Sequence, residues 1–244
     1  MPTQISKGLL IAVEGIDGAG KTTQVEALRL ALENCGESVV VSKEPTDGPW
    51  GKRIKESATK GRLPLGEELD AFLQDRTEHV DAVILPALTN SRTVILDRYF
   101  YSTIAYQGSR GADVGTLTQT MEDQFPVPDA VFVLDLDPTI SLDRIHYSRR
   151  DTPNAFEQIE GLRTARTIFR QLTGDHIYVL NAAQTITELH QEILNLLIDG
   201  PLKVKRCAKQ YCCENPFDCA FRIRGKCEWY KLQGMLRPQE SIHG

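Results

Sequence analysis

The chain has 244 residues, 41% of them hydrophobic and 25% charged, with a net charge of −5. That composition suits one sizeable core with a small appendage and excludes a charge-rich disordered chain. No apolar run approaches the roughly 20 residues of a membrane span, and MPTQISKG at the start lacks a signal-peptide apolar stretch, so a cytoplasmic protein is expected.

Leu9–Glu14 reads as a buried strand. It runs into EGIDGAGKTTQ, and a helix from Lys21 to about Cys35 follows, closed by Gly36. Val39–Lys43 is a second short apolar strand, and Trp50–Lys60 and Leu65–Leu88 read as helices. Thr93–Leu96 is a third strand and ends in Asp97, while Ala130–Leu136 and His176–Leu180 are two more. Ile140–Tyr147, Phe156–Leu172 and Ile186–Leu197 look helical. Short apolar strands alternating with helices predict an α/β fold, a mostly parallel sheet with helices on both faces. Ligands then sit at the carboxyl ends of the strands, where the loop at Gly15 and the acid at Asp97 both fall.

Composition breaks near Asp199–Gly200–Pro201. From Pro201 onward there are nine Lys/Arg against four Asp/Glu, and five of the six cysteines. The expectation is a domain over residues 1–199 and a basic, cysteine-rich extension over 200–244.

Gly15, Gly20, Lys21 and Thr22 form G-x-x-x-x-G-K-T, between a strand and a helix as a phosphate-binding loop requires. Glycines at 15, 18 and 20 let backbone N–H groups converge on an anion at a helix N-terminus. Ile16, Asp17, Ala19 and Thr23 complete the loop. Lys21 would reach the outer phosphates of ATP, and Thr22 would offer a hydroxyl to Mg²⁺. Asp97 has the position of an acid that helps hold Mg²⁺; its other reading is a strand-end carboxylate capping the next element. The chain has no N-K-x-D segment of a switch GTPase and is short for a motor ATPase. Arginines scattered over later loops suit a nucleotide kinase, where they neutralise charge on the transferred phosphoryl group.

EGIDGAGKTTQ, KEP at Lys43–Pro45, FLQDRTEHV at Phe72–Val80, DRYFYSTIAYQG at Asp97–Gly108 and VFVLDLDP at Val131–Pro138 together resemble the thymidylate kinase family over about residues 8–198. The resemblance implies a P-loop nucleoside monophosphate kinase fold, ATP and Mg²⁺ as donor and cofactor, dTMP as acceptor, and a homodimer. It also implies roles. Phe72 would stack on thymine, where the plain alternative is a core Phe. Arg76, one turn on, would face the base and phosphate side, where the alternative is a solvated surface arginine. Arg98 would grip the acceptor phosphate, for which a guanidinium fork is suited. Tyr106 would pack under the sugar and disfavour a 2′-hydroxyl. Ser102 and Gln107 would lie near the base edge, Asp17 near the sugar 3′-hydroxyl, and Glu44 in the family's E-P turn.

Two departures stand out. The E-P turn usually continues G-G-T and here continues Thr46, Asp47 and Gly48. The loop carries Gly18 and Ala19 where one branch of the family has an arginine, so the charge would come from the lid, YSRRDTPNAF at about Tyr147–Phe156. Arg149 and Arg150 are the catalytic candidates there, with Arg144 on the preceding helix; the usual second lid arginine is missing from Asn154–Glu157.

The resemblance says nothing about Cys207, Cys212, Cys213, Cys219 and Cys227. A reducing compartment disfavours disulfides, so the spacing reads as a metal site, zinc or an iron–sulfur cluster, against free thiols in a loosely ordered extension. Cys207, Cys219 and Cys227 with Cys212 or Cys213 would supply four ligands. Phe221, Trp229 and Tyr230 are expected to pack this module rather than to stack on nucleic acid, because it has few other apolar residues. A related pyrimidine acceptor, and a kinase-like scaffold with a sensing tail, are the competing functions. Intact Lys21, Thr22 and Asp97 oppose the second.

Overall fold

The computed structural model describes residues 8–149 and 155–202. Five strands form one sheet: β1 (Leu10–Glu14), β2 (Val39–Lys43), β3 (Thr93–Asp97), β4 (Ala130–Asp135) and β5 (Ile177–Asn181). The spatial order is β2-β3-β1-β4-β5 and every pair is parallel. β1 lies at the centre, and every one of its residues is buried. β3 and β4 are buried except for their half-exposed last residues, Asp97 and Asp135, whereas the edges β2 and β5 are half-exposed along most of their length. Continuous apolar runs such as LIAV and VFVL are what a parallel strand needs when helices cover both faces.

The helices are α1 (Lys21–Asn34), α2 (Pro49–Lys60), α3 (Leu65–His79), α4 (Leu85–Thr89), α5 (Phe100–Gly108), α6 (Val114–Gln124), α7 (Pro138–Arg149), α8 (Ala155–Gln171) and α9 (Ile186–Asp199). The predicted helix at Leu65–Leu88 is one run with a π-helical turn at Val80–Ile84. Pro86 has no N–H for the carbonyl four residues back, and the ladder slips there, with Leu85 N bonding Val80 O.

Two helices escape the periodicity reading. α5 is apolar nearly all round because it is buried nearly all round, so it has no polar stripe to reveal it. α6 holds Gly115 and three threonines, all poor helix formers, and relies on Asp113, whose side chain accepts from Thr116 N. Among the described residues no helix is long and apolar enough to cross a membrane. Gly200 ends α9, where the composition breaks. The cysteines of the extension lie outside the described residues.

Candidate active site

The phosphate loop follows β1 and ends on α1. Gly15 takes φ 133°, and a Cβ there would stand 2.6 Å from the Leu134 carbonyl oxygen. Gly18 takes φ 75°, and a Cβ there would stand 2.8 Å from the Ser141 oxygen. The sheet and α7 thus leave room for backbone alone at these two points. Ser141 Oγ also bonds the Asp17 carbonyl, so α7 braces the loop from behind.

Lys21 is buried, and its Nζ donates to the Ile16 carbonyl at 2.8 Å. Burial, aided by the nearby charge of Arg98, pushes its pKa down to about 7. An ammonium so weakly solvated gains strongly from a polyphosphate. Thr22 Oγ1 donates to Asp97 Oδ2 at 2.5 Å, so the two candidate Mg²⁺ ligands stand together at the ends of β3 and the loop. Hydroxyl and carboxylate oxygens are the hard donors that Mg²⁺ takes beside phosphates and water. Among the described residues no group of three or more His, Cys, Asp or Glu is placed to hold a metal ion.

Arg98 has a positive φ of 73°, one of two such non-glycine residues among those described. The strain of that conformation aims its side chain back over the loop. Nη2 donates to Asp17 Oδ1 at 2.6 Å and Nη1 to Ser102 Oγ at 3.1 Å. The guanidinium lies 5.4 Å from the centre of the Tyr106 ring, and Tyr106 Oη donates to Asp17 Oδ2 at 3.2 Å. Burial holds the Tyr106 phenol up at about 12, against the pull of Arg98, so it stays a neutral donor. Asp17, Arg98, Ser102 and Tyr106 therefore converge at the mouth of the loop.

Glu14 was not singled out by the sequence, and it organises this corner. It is fully buried at the end of β1; Oε1 accepts from Tyr99 N at 2.7 Å and Ser102 N at 3.3 Å, and Oε2 from Ser102 Oγ at 2.6 Å. A carboxylate from a distant strand thus caps α5, whose own N-cap residue offers no side-chain bond. Burial pushes its pKa up to about 7, opposed by the Ser102 hydrogen bond and by Arg98.

On the acceptor side, Arg76 is 1% exposed and lies between the Tyr99 and Phe125 rings, 5.4 Å from each centre. Nε and Nη2 donate to Glu44 Oε2 at 2.9 and 2.7 Å, Nη2 also to Thr103 Oγ1 at 2.9 Å, and Nη1 to the Met121 sulfur at 3.3 Å. His79 Nδ1 pairs with Glu44 Oε1 at 3.0 Å and Nε2 with Ser42 Oγ at 2.8 Å. The surface-arginine alternative for Arg76 is therefore wrong. Phe72 is only half-buried and stands outside the core cluster that Leu69 and Leu73 pack against, which removes the core-Phe alternative. Gln107 is fully buried, and its Nε2 has no hydrogen-bond partner.

The unusual E-P-T-D-G turn opens on a cis Glu44–Pro45 peptide. Asp75 of α3 accepts from Thr46 N at 2.8 Å and Thr46 Oγ1 at 2.5 Å, while Lys55 Nζ donates to the Thr46 carbonyl at 2.8 Å. Asp75 and His79 also went unnoticed, although both lie in FLQDRTEHV beside Arg76.

Arg144 Nη1 donates to Gly18 O and Nη2 to Ala182 O, each at 3.3 Å, so it joins the loop to the segment after β5. The side chain of Arg149, all of Arg150, and Cys207, Cys212, Cys213, Cys219 and Cys227 lie outside the described residues.

These elements agree with the comparisons. The thymidylate kinase family model matches residues 13–193. A thymidylate kinase of Xanthomonas campestris pv. campestris is 46% identical over 196 residues, covering 79% of this chain and 86% of its own. One of Xanthomonas oryzae pv. oryzae has the same identity and coverage. One of Xylella fastidiosa is 43% identical over 192 residues, covering 79% and 88%. A parallel sheet with its phosphate loop at the centre, the DRY block wrapped onto that loop and a family match that spans both have one reading: the chain belongs to the thymidylate kinase family.

Proposed function

We propose that the chain transfers the γ-phosphoryl group of ATP to the 5′-phosphate oxygen of dTMP, giving ADP and dTDP. One observation carries this reading. Arg98 bonds Asp17 of the phosphate loop and Ser102 of α5 at once, so a guanidinium stands beside the loop, which supports a second phosphate held against the first. Two adjoining phosphate sites suit transfer between phosphates rather than hydrolysis.

The residues divide the work. The backbone N–H groups of Gly15, Ile16, Asp17, Gly18, Ala19, Gly20, Lys21, Thr22 and Thr23 cradle the donor phosphates. Lys21 leaves the Ile16 carbonyl for the outer phosphates. Thr22 and Asp97 would hold Mg²⁺, which when bound would spread the phosphates' charge. Arg98 holds the acceptor phosphate in line, Asp17 and Tyr106 take the sugar, and Phe72, Arg76, Ser102 and Gln107 face the base, with Glu44 acting through Arg76. Arg149 or Arg150 supplies the charge that the loop lacks. The test is product formation from ATP, Mg²⁺ and a panel of monophosphates. Best turnover of dTMP is expected; better turnover of dCMP, UMP or AMP would replace the acceptor.

The rest of the reading divides the chain into the kinase domain, 1–199, and a cysteine-rich module, 200–244, in a cytoplasmic homodimer. A reducing cytoplasm keeps the tail thiols free to bind zinc or an iron–sulfur cluster, which would be structural because the kinase site is complete without it. Elemental analysis of anaerobically purified protein separates zinc, iron with sulfide, and no metal. Light scattering gives the oligomeric state.

A further inference from the structure

α3 and α5 lie side by side, and three residues on each line the shared face. On α3 these are Glu68, Phe72 and Arg76, spaced one turn apart. On α5 and the turn after it they are Thr103, Gln107 and Arg110. The two rows are joined at both ends. Arg76 Nη2 donates to Thr103 Oγ1 at 2.9 Å at one end, and Arg110 Nη1 donates to Glu68 Oε2 at the other. Phe72 and Gln107 are the middle members, between the two joints.

Gln107 has one satisfied atom and one orphan. Its Oε1 accepts from Arg110 Nη1 at 3.4 Å, and its Nε2 has no partner. Arg110 is itself held, by Glu68 and by the Leu63 carbonyl at 2.9 Å. A guanidinium donates and cannot accept, so the amide atom that faces it is the oxygen. The amide is therefore locked with its NH₂ group turned away from Arg110. A buried donor left without an acceptor costs about 1–3 kcal/mol, so such a group is expected to meet a ligand.

We propose that Arg110, anchored by Glu68, is a positioning residue that fixes the Gln107 amide as a donor, so that the acceptor site takes a pyrimidine with a carbonyl at ring position 4 and rejects one with an amino group there. The inference rests on the monophosphate-kinase reading above and deepens it. Thymine and uracil carry that carbonyl; cytosine presents an amino group, and two donors would face each other across a buried gap.

The experiment compares kcat/KM for dTMP, dUMP and dCMP. Arg110→Ala frees the amide to turn over, and the dTMP-to-dCMP ratio should narrow about tenfold, the size of one hydrogen bond. The dTMP-to-dUMP ratio should stay as it was, because both bases offer the carbonyl. Arg62 remains on Glu68 at 3.1 Å, so the buried carboxylate keeps a partner. Arg110→Lys, again donor-only, should keep the original ratio. Arg110→Gln, which can donate or accept, should narrow it even if the alanine variant folds poorly. In a Gln107→Leu background Arg110→Ala should change the dTMP-to-dCMP ratio no further. An unchanged ratio in both Arg110→Ala and Arg110→Gln, or an equal change in the Gln107→Leu background, overturns the inference alone. Equal use of dCMP and dTMP by the unsubstituted chain overturns the acceptor reading itself.

Discussion

The phosphate loop and the acceptor wall adjoin, yet they are built in opposite ways. The loop is local. It takes its polar groups from nine consecutive residues, Gly15–Thr23, and from backbone conformations that glycine allows. The wall is long-range. Glu68, Asp75 and Arg76 of α3 meet Glu44, Arg110 and Thr46 from other segments, and Glu14 and Arg98 bond Ser102 and Asp17, all through buried or half-buried ion pairs and hydrogen bonds. A local, backbone-built site serves any nucleotide's phosphates. On the proposed reading a cross-bonded wall of side chains selects one acceptor, and its ion pairs also tie distant segments of the chain together. Damage to the loop should therefore appear in kcat, and damage to the wall in KM, selectivity and stability.

The sharpest test sets Lys21 against Arg98. Lys21→Ala should lower kcat about 10³-fold, the upper size for one preorganised electrostatic group, and leave the dTMP KM within about threefold. Arg98→Ala should lower kcat by about 10²-fold and raise the dTMP KM as well, because Arg98 belongs to both regions. Steady-state kinetics with each substrate varied reads the split. The same pattern in both variants would erase the distinction.

Within the wall, Glu44 is the carboxylate that holds a fully buried guanidinium. It is the acceptor for two Arg76 bonds and one His79 bond, all buried. Glu44→Ala leaves the Arg76 charge without its carboxylate and should cost about 3 kcal/mol in denaturant unfolding. dTMP should recover part of that loss by mass action. A loss under about 1 kcal/mol would mean that water repairs the gap and the wall is less closed than its burial implies.

The same contrast explains what could be read from the sequence. All five strands and the loop were legible, because apolar runs and a glycine motif are local signals. α5 and α6 were not, one because burial on every side erased its stripe and the other because Gly115 and its threonines are weak helix formers. Arg98, Ser102 and Tyr106 were placed by resemblance to a family, not by any pattern of their own. Glu14, Asp75 and Glu68 were missed although two of them sit inside quoted motifs. Their roles lie in partners 29 to 88 residues away, and no spacing rule reaches so far.

Glu14 gives a smaller, pH-dependent test of the wall. Its carboxyl has an ordinary value of 4.5, raised to about 7 in the folded chain. Between those values the folded state binds more protons than the unfolded one, so stability falls as pH rises through that window. Lys21, lowered from 10.5 to about 7, acts with the opposite sign but in the window above 7. Glu14→Gln keeps an acceptor for Tyr99 N and has no proton to lose. From pH 5 to pH 7 the unsubstituted chain should lose about 2 kcal/mol relative to Glu14→Gln. Parallel stability curves for the two proteins would show that Glu14 titrates at its ordinary value.

The smallest expected effect lies at the turn where this chain departs from its family. A glycine is usual where Thr46 stands. Thr46 Oγ1 donates to buried Asp75 and accepts from Gly48 N at 3.0 Å, so the side chain braces the turn that a glycine would leave to the backbone. Gly51 fits beneath it, because a Cβ there would stand 2.2 Å from the Thr46 carbonyl oxygen. Thr46→Val keeps the volume and removes both hydroxyl bonds, while Thr46 N still donates to Asp75 Oδ2 and Lys55 still holds the carbonyl. The cost should be about 1 kcal/mol, one buried hydrogen bond net of the half-exposed second. Thr46→Gly should cost about 0.5–1 kcal/mol more, through the extra freedom of the unfolded chain. Both variants should leave kcat intact, since the turn lies on the wall side. A fall in kcat larger than the change in the dTMP KM would move residues 46–48 from the wall into the phosphate-transfer machinery.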